Sequence, residues 1–473
     1  MKKKHVNSLV FVGFFIIVTG VAMGSLSRNT PSSTAQPPDV GIKTGVVTVS
    51  AHLVQDKIFT GGDGTVALFL SMHADDVLVS DEGEGLAVDM VIVLDQSGSM
   101  RGQKIEYARQ AILNLLSSLS ARDRFAIIGY ADNVWKYSDL MNVTSTNRKR
   151  LETIIHRISV GGNTNLGGGL QEGINALLAN HSNGNMGKVV LISDGLANRG
   201  IIHPEALGNI ASIAVEEEFG ISTVGVGQNF NEQLMTAIAD KGAGNYYYLA
   251  NPQSFAQVFS NEFQHSRTIV AHAVEIRIPL PDGVSLVEAS GYPITVNNNQ
   301  AIVHPGDLLS GQTRKLFLTL KVPTHAEETY ELPGINVRYK HDGTPYTAAF
   351  SETFRIACVS DPQDAVASIV QTEWEEKVLQ EDFNALRERV AVDLKNGKKE
   401  EALKQINHYY DQQQLLNKEV GSAEVTDHLE KDLDKLRDVV EQTFKGSQQE
   451  IEKQQKAQSK ALQYEGYNNR RSK

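Results

Sequence analysis

Residues 86–265 alternate short apolar runs with segments whose apolar residues recur every three or four positions. The apolar runs predict strands at Val88–Leu94, Phe125–Tyr130, Lys188–Ser193, Ile221–Val226 and Tyr246–Leu249. The periodic segments predict helices at Gln103–Leu119, Gly167–Leu178, Pro204–Phe219 and Asn231–Asp240. Alternating strands and helices predict an α/β domain with a doubly wound, mostly parallel sheet and helices on both faces.

Strand-like patterns lie on both sides of this domain, in residues 41–85 and 266–359. The strands of the first segment are too few to fold alone. We therefore predict that they pair with the later strands in a β-sandwich, and that the α/β domain is inserted in this sandwich or flanked by it. Residues 360–473 have no proline after Pro362 and predict a helical region of three or four helices, with a polar, frayed end from Gln448.

The amino-terminal residues predict the compartment. Residues 1–24 combine a basic start with the apolar run Leu9–Gly24, and residues 25–40 form a polar linker rich in Ser, Thr and Pro. This pattern predicts either a cleaved signal peptide, with Ser25 as the first residue of the mature chain, or a retained membrane anchor. Both alternatives predict an extracytoplasmic location, which is secreted, periplasmic or at the cell surface.

Composition then excludes several functional classes. The 473-residue chain has a formal net charge of −11, so it lacks the basic excess that is typical of nucleic-acid binders. Its single cysteine, Cys358, excludes an intrachain disulfide and a zinc site built from several thiolates. The glycine-rich segment Gly225–Phe230 lacks the final glycine of a dinucleotide-binding loop. We therefore expect neither a nucleic acid nor a nucleotide as a partner.

Oxygen-bearing side chains follow two of the predicted strands and one glycine-rich loop. Asp95, Ser97 and Ser99 alternate directly after the first strand, Thr164 follows a glycine pair, and Asp194 directly follows the third strand. Parallel strands bring their carboxyl ends to one edge of the sheet, where ligands bind. Hydroxyl and carboxylate oxygens suit hard divalent cations. The sequence therefore predicts a metal site with one position open to a carboxylate from outside.

Five positions resemble, in order and spacing, the metal-ion-dependent adhesion site of the von Willebrand factor A domain family: Asp95, Ser97, Ser99, Thr164 and Asp194. The resemblance covers about residues 86–265. It implies that the two serines and the threonine bind Mg²⁺, or else Mn²⁺ or Ca²⁺, directly or nearly so. It also implies that the two aspartates act mostly through water and hydrogen bonds, and that a Glu or Asp of a protein partner completes the shell. The wider layout is distantly similar to bacterial secreted A-domain proteins related to inter-alpha-trypsin inhibitor heavy chains.

The residues leave three functions open. The first is an extracytoplasmic adhesion-type module that captures an acidic residue of a partner protein through the metal, with membrane attachment through the amino-terminal segment. The second is a membrane-tethered structural scaffold of an envelope or surface complex, in which the metal site is incidental. The third is a metal-assisted hydrolase, but the three metal loops contain no His or Glu that could act as a general base, so we expect no enzyme. Taken singly, each site residue could also be a helix cap or a turn residue, and the set could keep its oxygens without binding metal.

Overall fold

The computed structural model describes residues 41–76, 87–179, 185–217 and 219–471. The predicted signal peptide or anchor (residues 1–24) and the predicted linker (residues 25–40) lie outside the described residues. Within the described ranges, none of the helices is both long enough and apolar enough to cross a membrane.

The chain begins with four strands that precede the α/β domain. They are β1 (Ile42–Thr44), β2 (Val47–Leu53), β3 (Lys57–Phe59) and β4 (Thr65–Ala74). Almost every residue of β4 is buried, including those on both faces of the strand. A strand that is buried on both faces must be covered by other parts of the chain on each side.

Residues 88–267 form the α/β domain. Its strands are β5 (Val88–Asp95), β6 (Arg124–Tyr130), β7 (Val134–Lys136), β8 (Met141–Asn142), β9 (Met186–Ser193), β10 (Phe219–Val226) and β11 (Ala243–Leu249). Its helices are α1 (Gln103–Ser118), α2 (Ser145–Arg157), α3 (Leu166–Leu178), α4 (Pro204–Glu216), α5 (Glu232–Lys241) and α6 (Phe255–Arg267). The prediction of an α/β domain is confirmed, although the pattern misses α2, α6 and the short strands β7 and β8.

The sheet of this domain is doubly wound. Its strand order is β11-β10-β9-β5-β6-β7, β8 also pairs with β6, and the five longer strands are parallel. Helices α1, α2 and α6 pack on one face, and α3, α4 and α5 pack on the other. In the sheet, β6 lies on one side of β5, and β9, which comes later in the chain, lies on the other side of β5. The carboxyl ends of β5 and β9 therefore lie at the switch point where such sheets bind ligands.

The strands that follow the α/β domain complete the sandwich. They are β12 (Ile269–Pro279), β13 (Ser285–Ala289), β14 (Ile294–Asn297), β15 (Gln300–Val303), β16 (Leu308–Leu309), β17 (Thr313–Lys321), β18 (Thr329–Leu332), β19 (Asn336–His341), β20 (Thr344–Ala349) and β21 (Phe354–Val359). The three sheets have the orders β1-β2-β4-β17-β13, β14-β15-β12-β19-β20 and β18-β21-β3, and they enclose one apolar core. Because β4 pairs with β17, the α/β domain interrupts the sandwich along the chain.

A helical region covers the outer face of the sheet that contains β4 and β17. It comprises α7 (Pro362–Ala367), α8 (Gln371–Glu376), a π-helical segment (Lys377–Asp382), α9 (Phe383–Lys395), α10 (Lys399–Val420), α11 (Ala423–Thr443) and α12 (Gln448–Arg470). These are more helices than the three or four that the sequence predicts. Apolar side chains of α8 to α11 form one buried cluster with Phe69 and Phe317, which project outward from the sheet.

The prediction of a frayed end from Gln448 is wrong for the described residues. Helix α12 begins at a capping box, in which Ser447 and Glu450 each bond the backbone N–H of the other. Near its end the helix buries Tyr467 and Arg470. The apolar pattern does not reveal this helix, because aromatic and cationic side chains hold it in place instead of an aliphatic stripe.

Helix α12 joins the three parts of the chain. The Arg470 guanidinium forms ion pairs with Glu381 of the π-helical segment at 2.6 Å and with Glu288 of the sandwich at 2.8 Å. The Lys460 ammonium forms an ion pair with Glu232, the first residue of α5, at 2.7 Å. These side chains are largely buried, so the pairs are sensitive to any change in their geometry.

The α/β domain also contains a buried ion pair near the amino-terminal ends of its parallel strands. Glu262 of α6 lies 3.1 Å from the Lys188 ammonium and accepts hydrogen bonds from Ser222, Asn245 and Tyr247. Burial of the Glu262 carboxyl opposes ionisation, but the nearby ammonium and the three hydrogen bonds together lower its pKa to about 2. The folded state therefore favours the ionised carboxylate.

We predict that Glu262→Gln lowers the free energy of unfolding at neutral pH and that this difference from the wild type shrinks in acid. The pKa of this group is about 4.5 when unfolded and about 2 when folded. Its stabilising contribution is therefore complete above pH 4.5 and is lost as the pH falls through 2. At pH 7 the substitution leaves the Lys188 charge buried without its partner, and it should lower the free energy of unfolding by about 3–5 kcal/mol.

Urea unfolding between pH 7 and pH 3 measures both effects. The control is Glu331→Gln, which breaks an exposed ion pair with Arg355 and should change stability little at any pH. An identical pH dependence in the wild type and in Glu262→Gln would contradict this account.

Candidate metal centre

Two strand ends and one loop supply the candidate site. Asp95 is the last residue of β5, and a short 3-10 turn, Gly98–Met100, connects it to α1. Asp194 directly follows β9, which is the neighbour of β5 in the sheet. Thr164 lies in the loop that precedes α3. These residues therefore meet at the carboxyl edge of the parallel strands.

Hydrogen bonds connect the two strand ends. The hydroxyl oxygens of Ser97 and Ser99 are 2.9 Å apart, and the Ser99 hydroxyl donates to the Asp194 carboxylate at 2.8 Å. The Asp95 carboxylate accepts two hydrogen bonds of 2.8 Å, from the Ser97 backbone N–H and from the Ser193 hydroxyl. Four of the predicted site residues therefore belong to one network. Ser193, which is absent from the predicted set, completes it.

Thr164 reaches the same place from its own loop. The backbone N–H of Gly98 donates to the carbonyl of Gly162 at 3.1 Å, which holds this loop against the 3-10 turn. A Cβ atom on Gly195 would lie 3.4 Å from both the Thr164 hydroxyl and the Ser99 hydroxyl. The two hydroxyls therefore border one small space beside Gly195. The structure thus places all five predicted side chains in a single cluster.

The two carboxylates are buried, whereas Ser99 is exposed. Burial raises the pKa of Asp95 to about 6, against the opposing hydrogen bonds from Ser97 and Ser193. The negative charge of Asp194 raises this pKa further. Two adjacent carboxylates make the site electronegative, and the exposed serine leaves one side of the site open to solvent.

Lys104 is a further residue of this site that sequence reasoning misses. It lies in the first turn of α1, its ammonium forms an ion pair with Asp194, and it donates to the Ser99 carbonyl oxygen at 3.3 Å. The Asp194 side chain is inaccessible to solvent, whereas 28% of the Lys104 side chain is exposed. A cation in the first turn of a helix opposes the helix dipole. This unfavourable position was the available sequence signal.

The donor set suits a hard divalent cation. Three hydroxyls and two carboxylates supply only oxygen atoms, which are the ligands that Mg²⁺, Mn²⁺ and Ca²⁺ prefer. Within the described parts of the chain, no group of three or more His, Cys, Asp or Glu side chains is placed to hold a metal. A metal at this edge would therefore depend on the hydroxyls as well as on the carboxylates.

Comparison with known proteins agrees with this geometry. Residues 89–261 match the model of the von Willebrand factor type A domain. This part of the chain is a von Willebrand factor type A domain. The whole fold of the chain is similar to a solved von Willebrand factor type A structure from Catenulispora acidiphila, with a TM-score of 0.64 at 14% identity. That similarity covers 91% of this chain and 98% of the other, so the two share the sandwich and helical regions as well.

Sequence relatives match different lengths of the chain. An uncharacterized Synechocystis protein is 25% identical over 303 residues, which are 62% of this chain and 71% of the relative. Inter-alpha-trypsin inhibitor heavy chain H3 of Mesocricetus auratus is 30% identical over 170 residues, but these are only 19% of the heavy chain. The predicted family resemblance is confirmed. A domains commonly mediate protein–protein interaction or adhesion and often bind a divalent metal.

We predict that Lys104→Met destabilises the protein when divalent cations are absent. The substitution leaves the buried Asp194 carboxylate without its cation, while the Ser99 hydroxyl remains bonded to it. Because Lys104 is partly exposed, we expect a loss of about 1–3 kcal/mol in the free energy of unfolding.

Urea unfolding in EDTA at pH 7 measures this loss. The matched control is Lys136→Met, which removes a lysine from an exposed ion pair with Asp139 and should leave the stability unchanged. If Lys104→Met were as stable as the wild type in EDTA, the ion pair would not stabilise the site.

Proposed function

We propose that the protein is an extracytoplasmic binding module that uses a divalent metal to capture an acidic residue of a partner protein. The observation that carries this proposal is the convergence of three hydroxyls and two carboxylates at the exposed edge of the A-domain sheet. Helix capping or a tight turn would explain one or two of these side chains. It would not explain why residues from three separate loops face one another.

The residues divide into two groups. The hydroxyls of Ser97, Ser99 and Thr164 would contact the metal, and Asp95 and Asp194 would act mostly through water and hydrogen bonds. Mg²⁺ is the first candidate, with Mn²⁺ and Ca²⁺ as alternatives, because all three prefer oxygen ligands. The bound metal supplies a directional positive contact for a carboxylate. Since Ser99 is exposed, that contact would face the solvent, where a partner can approach.

The charge of the site favours an acidic partner. Two carboxylates balance one divalent cation, because the remaining ligands are neutral hydroxyls. The ammonium of Lys104 adds a positive charge beside them. A metal-loaded site with a net positive charge attracts a Glu or Asp side chain and disfavours a basic one.

Binding accounts for the site better than catalysis does. The loops at residues 95–102, 161–165 and 194–198 contain no His or Glu that could act as a general base. The extracytoplasmic location in this proposal is supported by the basic and apolar pattern of residues 1–24, either as a cleaved signal or as a membrane anchor.

We predict that the protein binds one Mg²⁺ or Mn²⁺ ion and that Ser97→Ala weakens this binding about tenfold or more, because a direct ligand is lost. Asp95→Ala should weaken it further, since the carboxylate also positions the loop through the Ser97 N–H. Calorimetric titration of the chelator-treated protein measures both affinities.

The control for this titration is Ser117→Ala, which removes an exposed hydroxyl that bonds only the Asn114 carbonyl. This variant should bind the metal as the wild type does. A folded wild-type chain that binds neither ion would refute the proposed function and favour the membrane-tethered scaffold with an incidental site.

We predict that Lys104→Met has the opposite effect and binds Mn²⁺ about tenfold more tightly, because no ammonium competes for Asp194. The same titration measures this change. Arg101→Met is the control for a general loss of positive charge near the site, because Arg101 is exposed and forms no ion pair with Asp194. Weaker metal binding by Lys104→Met than by the wild type would contradict the competition.

A further inference from the structure

The loop between β9 and α4, residues 195–203, forms one side of the candidate metal centre. We call this loop the apolar wall, because it exposes three branched aliphatic side chains. The exposed fractions of Leu196, Ile201 and Ile202 are 58%, 44% and 43%. Across the described residues nine large apolar side chains are exposed, and three of them lie in this loop. Such a concentration of exposed apolar groups is typical of an interaction surface.

The apolar wall is attached to the site by specific contacts. The Asn198 backbone N–H donates to the Thr164 carbonyl at 3.2 Å, and the Asn198 side chain accepts from the Thr164 N–H at 2.9 Å. A Cβ atom on Gly167, in the first turn of α3, would lie 3.1 Å from the Ile201 Cβ. These contacts hold the backbone of the apolar wall beside Thr164 and the first turn of α3.

A second set of contacts fixes the far side of the wall. Arg199 forms an ion pair with Asp132 at 2.9 Å, and Asp132 also accepts a hydrogen bond from Asn163 at 2.7 Å. Asn163 is the neighbour of Thr164, so these contacts join the wall, the loop after β6 and the glycine-rich loop. An apolar surface that is already ordered before binding loses little conformational entropy when a partner covers it.

Charge at the same edge favours an acidic occupant. Arg101 is exposed and Lys104 is partly exposed beside Asp194. The acidic side chain on the neighbouring loop, Asp132, is already paired with Arg199. The exposed side chains of this edge therefore include two cations, and a bound divalent metal would add to their positive charge, although the chain as a whole has a net charge of −11. Local charge of this kind selects and orients partners of opposite sign.

We propose that the apolar wall recognises an apolar side chain of the partner next to the acidic residue that the metal captures. The occupant is thus a protein segment in which a Glu or Asp has a Leu-like or Ile-like side chain within about two residues, a separation of roughly 7 Å in an extended chain. This inference rests on the proposed function and adds the sequence class of the partner. The metal supplies the contact for the acid, and the wall supplies the selectivity for its neighbour.

A random heptapeptide library displayed on phage tests this inference. Phage are bound to the immobilised protein in Mg²⁺ and eluted with EDTA, and the enriched peptides are then synthesised. We expect them to contain an acidic residue with an aliphatic neighbour. We expect the variant Leu196→Ser/Ile202→Ser to bind such peptides about tenfold or more weakly, because burial of two aliphatic side chains is lost.

Two controls accompany the variant. Val296→Ser removes an equally exposed aliphatic side chain from the sandwich and should bind the peptides as the wild type does. Calorimetric Mg²⁺ titration of Leu196→Ser/Ile202→Ser should give wild-type affinity, because neither side chain supplies a ligand. Thermal unfolding confirms that the variant is folded.

The outcomes separate this inference from the proposed function. EDTA-eluted peptides that are acidic, have no aliphatic preference and bind the variant equally well would overturn the inference and leave metal-dependent capture intact. Mg²⁺ binding without enrichment of acidic peptides would overturn acidic capture and the inference with it. Self-association of the wild type that is lost in the variant would show that a second copy of the chain covers the wall, and it would also overturn the inference.

Discussion

The hydrogen bond from the Ser193 hydroxyl to the Asp95 carboxylate joins the ends of the two central strands of the A domain. Asp95 is fully buried, and a buried carboxylate without donors is strongly unfavourable. Its second donor is the Ser97 backbone N–H, which holds the following loop over the sheet edge. This constraint brings Ser97 and Ser99 toward Asp194. The geometry of the candidate site thus follows from the need to satisfy one buried carboxylate.

The sequence predicts the strands and helices of the A domain well where the element is identified by its buried apolar residues alone. The strand predicted at Phe125–Tyr130 is Arg124–Tyr130 in the structure, and the helix predicted at Gly167–Leu178 is Leu166–Leu178. Central parallel strands are apolar throughout, so their composition reveals them. The apolar pattern does not predict that α12 is ordered. Tyr467 and Arg470 hold this helix through ring contacts and ion pairs with residues that are distant in the sequence.

The five predicted site residues could be found because each lies within a few residues of a strand end or a glycine pair, where the fold determines its position. Lys104 could not be found in this way, since its partner Asp194 is 90 residues further along the chain. Ser193 was visible in the sequence as the neighbour of Asp194, but its hydrogen bond to Asp95 depends on the register of two strands. The metal itself stays a prediction.

The edge that carries the candidate site is also in contact with the carboxyl-terminal helix. A Cβ atom on Gly227, in the loop after β10, would lie 3.8 Å from the Lys104 ammonium nitrogen. The same loop continues to Phe230 and Glu232, whose carbonyl and carboxylate both accept hydrogen bonds from Lys460 of α12. Buried polar contacts of this kind hold packed elements in one arrangement, unlike a flexible linker. A partner bound at the proposed metal site would therefore be held in a fixed orientation relative to the sandwich and the helical region.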